Sequence, residues 1–197
     1  MKNLLLSTAV VTLLAACGGS GASTNITADD ANVNLNNQAK GLVTINTAHG
    51  KLRGYNQYAS FYGMWTDNSG QLRELRYRGD AATDIPQSGT ATYYGNAVRY
   101  DTVSNKELTD GKSRINVDFG KHTVDGEIKF DGLRRDITLK EGVLNGASYS
   151  GSASVIGRTG HGHYEGQLYG ENAKETAGQV AFSEDSSLNT AFGGVRY

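Results

Sequence analysis

Short runs of alternating apolar and polar residues fill the chain from Gly41 onward, and residues typical of turns separate them. The clearest run is 113–119, in which every second residue is apolar, and a similar run over 123–130 follows a bend at 120–122. Because successive side chains of a β-strand point to opposite faces, this alternation indicates a strand with one buried face. The two runs therefore predict a β-hairpin.

Other runs fit the same template, and few windows suggest a helix. The further strand candidates are 42–46, 57–66, 71–77, 89–100, 135–139, 147–156, 164–169, 179–182 and 191–196. The best helical candidate is 171–177, which a glycine ends after one or two turns. Glycines inside the strand runs suit tightly coiled strands and close backbone approach; examples are Gly63, Gly95, Gly151 and Gly166. We therefore predict an all-β fold, an antiparallel up-and-down barrel of about eight strands, in preference to a two-sheet sandwich.

The first residues have the shape of a secretory signal. They read MKNLLLSTAVVTLLAAC, with Lys2 as the only charge and an apolar stretch too short for a permanent membrane span. Residues 14–17, Leu-Ala-Ala-Cys, resemble the lipobox of bacterial lipoproteins. The resemblance implies that 1–16 are removed, that Cys17 is acylated and, with Gly18 following, that the protein is sorted to the outer membrane. The alternative is an ordinary signal with an incidental cysteine.

Residues 17–40 are rich in Gly, Ser, Asn, Thr and Asp and contain few large apolar groups. Such a segment buries too little surface to offset its ordering entropy, so we predict a flexible, lipidated tether. The predicted barrel domain is 41–197. Several acyl chains on Cys17 would hold it durably at the membrane, because each buried methylene adds about 0.8 kcal/mol.

Composition excludes several classes of protein. The single cysteine cannot form an internal disulfide, and no spacing of Cys and His resembles a zinc site. With 19 Lys and Arg against 20 Asp and Glu, the net charge is -1. Nucleic acid is therefore not an expected partner, since it attracts concentrated positive charge.

Catalytic and metal-binding patterns are weak. His161 and His163 would share one face of a strand with Glu165, but the sequence identifies no further ligand, so we predict no metal site. Haem capture by a loop His or Tyr remains open. The Gly-rich stretch 157–162 opens no predicted helix and is interpreted as a hairpin loop rather than a phosphate site. No Gly-x-Ser-x-Gly motif occurs and no base accompanies the serines near 148–151, so we predict no enzyme and no cofactor.

Aromatic residues and arginines are concentrated between 53 and 100, a composition typical of protein interfaces. The alternative is that these aromatics fill a core or pair across strands. Period two places Arg76 and Arg78 on one strand face, opposite Arg73, and we predict that the Arg76/Arg78 pair is exposed. The candidate partner-binding residues are Arg76, Arg78, Tyr58 and Tyr62.

Two segments resemble motifs of the transferrin-binding-protein-B-like β-barrel surface lipoproteins. Residues 113–130, SRINVDFGKHTVDGEIKF, resemble the strand pair VDFgnktvsGtI. Residues 162–182, GHYEGQLYGENAKETAGQVAF, resemble the signature GafyGpnAeElgGtf near the end of those barrels, with Glu175 in register. The closing residues 191–196 are also typical of such barrels.

The resemblance implies a surface lipoprotein of the outer membrane that binds a host protein. Members bind transferrin, lactoferrin, haemoglobin or complement factor H, and several reach the surface through a dedicated translocator. The expected function is binding of transferrin, haemoglobin or haem in iron acquisition. The alternatives are factor H binding in immune evasion and a structural lipoprotein without a host ligand. Compared with the longer relatives, this chain is expected to lack a preceding handle domain and a second lobe, leaving one barrel on a tether.

Overall fold

The computed structural model describes residues 25–26, 33–35, 38–132, 135–156 and 160–197. The predicted signal, Cys17 and most of the predicted tether lie outside these residues. The strands are β1 (Asn25–Ile26), β2 (Val33–Asn34), β3 (Gly41–Thr47), β4 (Gly50–Asn56), β5 (Ser60–Asp67), β6 (Leu72–Gly79), β7 (Thr90–Asp101), β8 (Lys106–Asp118), β9 (Thr123–Lys129), β10 (Ile137–Asn145), β11 (Ser148–Val155), β12 (Gly162–Tyr169), β13 (Glu175–Phe182) and β14 (Thr190–Val195).

Strands β7 to β14 form a closed antiparallel barrel. Each strand pairs with the next in the sequence, and β14 pairs with β7 to complete the circle, so the connectivity is up-and-down. The hairpin predicted over 113–130 is present as β8 and β9, with Ile115 opposite Gly126 and Val117 opposite Val124. The all-β, eight-stranded barrel predicted from the alternation is therefore confirmed.

Tyrosine rings packed against glycines fill part of the barrel interior. The ring of Tyr164 lies against Gly151 and that of Tyr149 against Gly166, so any Cβ at either glycine would overlap the ring. The two ring centroids are 6.3 Å apart. Burial raises the pKa of both phenols, and each keeps a hydrogen-bond partner: Tyr149 with the Thr176 hydroxyl, Tyr164 with main-chain carbonyls. The close approach predicted at strand glycines is thus present at these two positions.

Strands β3 to β6 form a separate four-stranded antiparallel meander ahead of the barrel. The expectation that nothing would precede the barrel except a tether was wrong on this point, since 41–79 make a sheet of their own. Alternation reports that a strand has one buried face, but it does not report which strands pair. Strand β4 was also missed, because Gly54 interrupts its apolar face.

One face of this sheet packs on the outer wall of the barrel, mainly against β13, β14 and β7. We call this contact the seam. Its buried apolar residues are Tyr62, Met64, Val98, Tyr100, Tyr169, Ala177 and Ala191. Polar contacts frame it: the Tyr55 hydroxyl donates to the carbonyl of Thr109 at 2.7 Å, and Glu107 pairs with Lys51 and Arg53 at 2.7 and 3.0 Å.

The opposite face of the sheet carries a second small core of Leu35, Val43, Leu52, Phe61 and Trp65. The Asn56 side-chain amide donates to the carbonyls of Leu35, Gln38 and Ala39 at 2.9 to 3.2 Å. These bonds fix the chain immediately before β3 to the sheet.

The helical candidate 171–177 is only a single 3₁₀ turn, Glu171–Ala173, because β13 begins at Glu175. In the part of the chain that the structure describes, no helix has the length and apolar character needed to cross a bilayer.

Candidate partner-binding surface

Two of the four candidate binding residues are exposed and two are not. Tyr58 is 82% exposed in the turn between β4 and β5, and Arg78 is exposed near the end of β6. Ser60 at the start of β5 lies opposite Gly79 at the end of β6, so Tyr58 and Arg78 occupy the same end of the sheet. Tyr62 and Arg76 are buried, at 1% and 8% exposure, and cannot serve as free contact residues.

Tyr62 belongs to the seam rather than to a free surface. Its ring stacks on Tyr55 with centroids 5.6 Å apart, and its hydroxyl accepts a hydrogen bond from the amide of Asn96 at 3.2 Å. Burial raises the pKa of this phenol well above its ordinary value. Tyr62 therefore joins the sheet to the barrel. This agrees with the alternative interpretation, in which these aromatic residues fill a core.

The prediction that the Arg76/Arg78 pair is exposed was wrong for Arg76. Arg76 lies opposite Gly63, which leaves room for the long side chain to lie along the sheet. Its guanidinium is 5.8 Å from the centroid of the Trp65 ring and forms an ion pair with Glu74. Period two correctly placed Arg76 and Arg78 on one face, but it could not show that this face is covered at Arg76.

A buried carboxylate holds the turn that carries Tyr58. Glu175, which is 3% exposed at the start of β13, accepts hydrogen bonds from the amides of Tyr58 and Ala59 at 2.9 and 3.0 Å and from the Ser60 hydroxyl at 2.8 Å. A carboxylate that receives three donors fixes their geometry more firmly than a neutral acceptor would. Tyr58 is thus presented on a rigid turn at the end of the seam.

A cavity of about 490 Å³ opens beside this turn. It is lined by Tyr58, Ala59, Gly170, Glu171, Asn172, Lys174, Glu175, Arg196 and Tyr197. Tyr58 and Tyr197 are both exposed, and the only carboxylate buried in the wall is the fully engaged Glu175. Accessible tyrosine rings around a concave site are a common feature of protein interfaces.

The charges at this end of the sheet are mostly positive. The Nζ of Lys40 lies 5.6 Å from the centroid of the Tyr58 ring, and Lys174 is exposed in the cavity wall. Together with Arg78 and Arg196 these make four cations, against exposed Asp80 and Glu171. We call the Tyr58 turn, the cavity and these four cations the Tyr58 surface.

Strained backbone forms one wall of the cavity. Asn172 and Ala173 both have φ of 54°, and Ala rarely adopts this left-handed conformation. The Tyr93 hydroxyl donates to the carbonyl of Ala173 at 2.6 Å, and Arg196 donates to the carbonyl of Asn172. Burial raises the pKa of Tyr93 to about 12, with the charge of Arg196 acting in the opposite direction. Strain held in place by neighbouring groups is typical of functional sites.

Sequence reasoning identified Tyr58 and Arg78 but missed Lys40, Lys174 and Tyr197. Lys40 joins the surface through the pairing of β3 with β4, and Lys174 and Tyr197 join it through the contact between the sheet and the barrel, so no local spacing could reveal them. Glu175 was matched to a family motif, and the structure shows its physical role in the turn.

The histidines considered for metal binding lie at and just before the start of β12. His161 and His163 are exposed, and Glu165 accepts a hydrogen bond from the Gln179 amide at 2.9 Å. Over the described ranges, no group of three or more His, Cys, Asp or Glu could hold a metal ion.

The chain thus combines a closed eight-stranded barrel, a four-stranded sheet docked on its wall and an aromatic, basic surface at their junction. Residues 85–196 match the family described as the C-lobe and N-lobe beta barrels of Tf-binding protein B. This match covers more than half of the chain, so the chain belongs to that family.

Solved structures share this fold. Haemoglobin receptor HpuA from Kingella denitrificans, determined in complex with human haemoglobin, has a TM-score of 0.62 and 24% identity over 77% of this chain and 59% of that chain. Transferrin binding protein B from Haemophilus parasuis, a Trp-176-Ala mutant, has a TM-score of 0.68 and 16% identity over 91% and 42%. A Haemophilus influenzae relative, described only as an uncharacterized protein, is 28% identical over 120 residues. That alignment spans 59% of this chain and 40% of the relative, less than half of its length.

Proposed function

We propose that this protein is a lipid-anchored lipoprotein of the outer membrane, facing the cell exterior, that binds a host iron-carrying protein, haemoglobin or transferrin, through the Tyr58 surface. The main support is the extent of the likeness to HpuA, which was solved with haemoglobin bound. The barrel strands span 90–195, just over half of the chain, whereas the likeness covers 77% of it. The likeness must therefore extend into the chain ahead of the barrel, where the seam is built.

The chemistry of the Tyr58 surface fits a protein ligand better than a small molecule. The cavity is open, its lining includes the exposed rings of Tyr58 and Tyr197 and two cations, Lys174 and Arg196, and Glu175 keeps the turn rigid in the free protein. A rigid turn loses little conformational entropy on binding, so more of the contact energy appears as affinity.

The binding test uses the full chain with Cys17→Ser, which keeps the protein free of lipid. Immobilised protein is exposed separately to human haemoglobin, transferrin and factor H, and affinity is measured by biolayer interferometry. Saturable binding of haemoglobin or transferrin supports the proposal, and binding of factor H alone replaces it by the immune-evasion alternative. Absence of saturable binding to all three would favour a structural lipoprotein.

The location of the site is tested by Tyr58→Ala combined with Lys174→Glu. Loss of an exposed ring and reversal of one charge should weaken binding about tenfold or more if these are central contacts. The matched control is Val143→Ala combined with Lys140→Glu, because both residues are exposed on β10, on the other side of the barrel from β14. Equal affinities for the two variants would remove the Tyr58 surface from the proposal while leaving the ligand identity intact.

The anchor is tested separately in cells. Wild-type protein should fractionate with the outer membrane, label with palmitate and be cleaved by protease added to intact cells. The Cys17→Ser protein should be released in soluble form, since Cys17 is the residue that carries the acyl chains in this assignment. Retention of the unlabelled variant in the membrane would refute the lipid assignment.

A further inference from the structure

The four-stranded sheet has two edges, and they are built differently. Strand β3 pairs only with β4, and β6 pairs only with β5. Within the described ranges, no strand pairs with the outer edge of either. Unpaired edge strands present free amides and carbonyls, so soluble proteins protect them with charges, bulges or covering elements.

Strand β6 carries such protection. It contains Arg73, Glu74, Arg76 and Arg78, and its register shifts next to Trp65, which marks a bulge. Its Tyr77 side chain also reaches the barrel wall, where burial, the charge of Glu165 and a hydrogen bond to Glu165 raise the pKa of the phenol. A charged, bulged strand that lies over another element is a poor template for pairing.

Strand β3 carries none of these devices. Its sequence, Gly-Leu-Val-Thr-Ile-Asn-Thr, has no charge and no proline, and all seven residues pair with β4 without a register shift. Val43, Thr44 and Ile45 have high β propensity, and Leu42 is 44% exposed. An uncharged, regular edge of this kind is suited to accept another strand.

The sequence of β3 is complementary to itself. In an antiparallel pair centred on Thr44, all seven residues find partners: Thr44 meets Thr44, Val43 meets Ile45 and Leu42 meets Asn46 of the second copy. Val43 and Ile45 then share one face, Leu42, Thr44 and Asn46 share the other, and Thr–Thr pairs are favourable across strands. No like charges oppose each other: Lys40, just before β3, would lie opposite Ala48 of the second copy, and Lys51 and Arg53 on β4 are already paired with Glu107 of their own barrel.

We propose that β3 pairs with β3 of a second copy of this chain, which forms a twofold dimer with one continuous eight-stranded sheet. The interface is isologous, as expected for a homodimer. Seven residues on each side make a modest contact, so the dimer gains from confinement of anchored molecules to one membrane surface, which raises their effective concentration. The pairing itself does not depend on the identity of the host ligand.

Disulfide trapping tests both the pairing and its register. The parent is the full Cys17→Ser chain, which contains no other cysteine. Thr44→Cys places one thiol on the proposed twofold axis, where directly opposed Cβ atoms lie about 5 Å apart, within reach of a disulfide after small adjustments. Asn46→Cys lies on the same exposed face, but in this register its two copies are about 13 Å apart. Thr138→Cys, exposed on a barrel strand with neighbours on both sides, controls for random collision.

Under oxidised glutathione, we expect Thr44→Cys to form covalent dimer about tenfold faster than either control, since only its thiols meet in bonding geometry. Light scattering on the parent should show a mass that rises toward the dimer with concentration, and Thr44→Lys should remain a monomer with unchanged circular dichroism. Equal trapping rates at 44, 46 and 138 would overturn the proposal. So would a parent that stays monomeric at all concentrations, which would indicate that residues before β3 or another protein occupy this edge.

Discussion

Replacing Glu175 with alanine should loosen the sheet from the barrel, and the size of the effect follows from its contacts. The carboxylate accepts hydrogen bonds from the amides of Tyr58 and Ala59 and from the hydroxyl of Ser60, at 2.8 to 3.0 Å. A hydrogen bond to a charged group contributes about 1.5–3 kcal/mol, and a buried donor left unpaired is costly. Because Tyr58 faces the open cavity, water can replace one of the three bonds. We therefore expect Glu175→Ala to lower the free energy of unfolding of the sheet by about 3–5 kcal/mol.

The single tryptophan of the chain provides the assay. Trp65 lies in β5, so its fluorescence reports the sheet, whereas far-ultraviolet circular dichroism is dominated by the barrel strands. With a denaturant slope of about 2 kcal/mol per molar urea, the Trp65 midpoint should fall by about 1.5–2.5 M. The barrel transition should move less, since the barrel keeps its own core.

The control is Glu127→Ala on the barrel wall. Glu127 pairs with Arg114 and Lys129 at 3.3 and 2.9 Å, but all three side chains are partly exposed, so the loss should be below about 1 kcal/mol. If Glu175→Ala shifts the Trp65 midpoint no more than this control does, the carboxylate does not hold the turn, and the account of a rigid Tyr58 surface fails.

Three further perturbations test the fold in different ways. Hydrogen bonds, first from the Ser69 hydroxyl, lower the pKa of Asp67 to about 2, below its ordinary value of 3.8, so its stabilising effect should be present above pH 4 and disappear toward pH 2. In Asp67→Asn, the urea midpoint should therefore fall less between pH 4 and pH 2 than it does in the wild type. An NMR titration in which the Asp67 carboxyl titrates near pH 4 would contradict the lowered pKa. Burial, followed by the nearby Arg135, lowers the pKa of Arg99 to about 10, so the charge carries a cost at pH 7. That cost should offset the hydrogen bond from Arg99 to the Thr190 hydroxyl at 2.9 Å and the contact of its guanidinium with the Phe130 ring, 4.2 Å from the centroid, so Arg99→Met should change the unfolding free energy by less than about 1 kcal/mol. A loss of 3 kcal/mol or more, on the scale of about 3–5 for breaking a buried ion pair, would show that the guanidinium has a strong partner. Gly166→Ala should cost about 1–3 kcal/mol because its Cβ overlaps a buried tyrosine ring, whereas Gly120→Ala, whose Cβ would meet only Asp118 Oδ1 at 3.5 Å, an ordinary contact distance, should be neutral in thermal melts.

The barrel could be predicted from sequence because its signal is local. Alternation in 113–119 and 123–130 shows directly that one strand face is buried, and the bend between them fixes the hairpin. When a chain contains about eight such strands and few segments with a helical pattern, closing the sheet into a barrel removes its exposed edge strands.

The four-stranded sheet and the Tyr58 surface could not be predicted in the same way. Strands of the sheet and strands of the barrel have the same period, so alternation cannot separate them. Arg76 and Tyr62 have the composition of interface residues, yet one lies along the sheet above Trp65 and the other fills the seam. Their burial depends on neighbours far along the chain, which a single sequence does not reveal.

The position of Tyr197 has a practical consequence for anyone preparing this protein. Tyr197 lines the same cavity as Tyr58 and follows shortly after the end of β14. A bulky group attached at Tyr197 would lie at the rim of the cavity and compete with any partner that docks there. A negative binding result obtained with a group attached there would carry little weight.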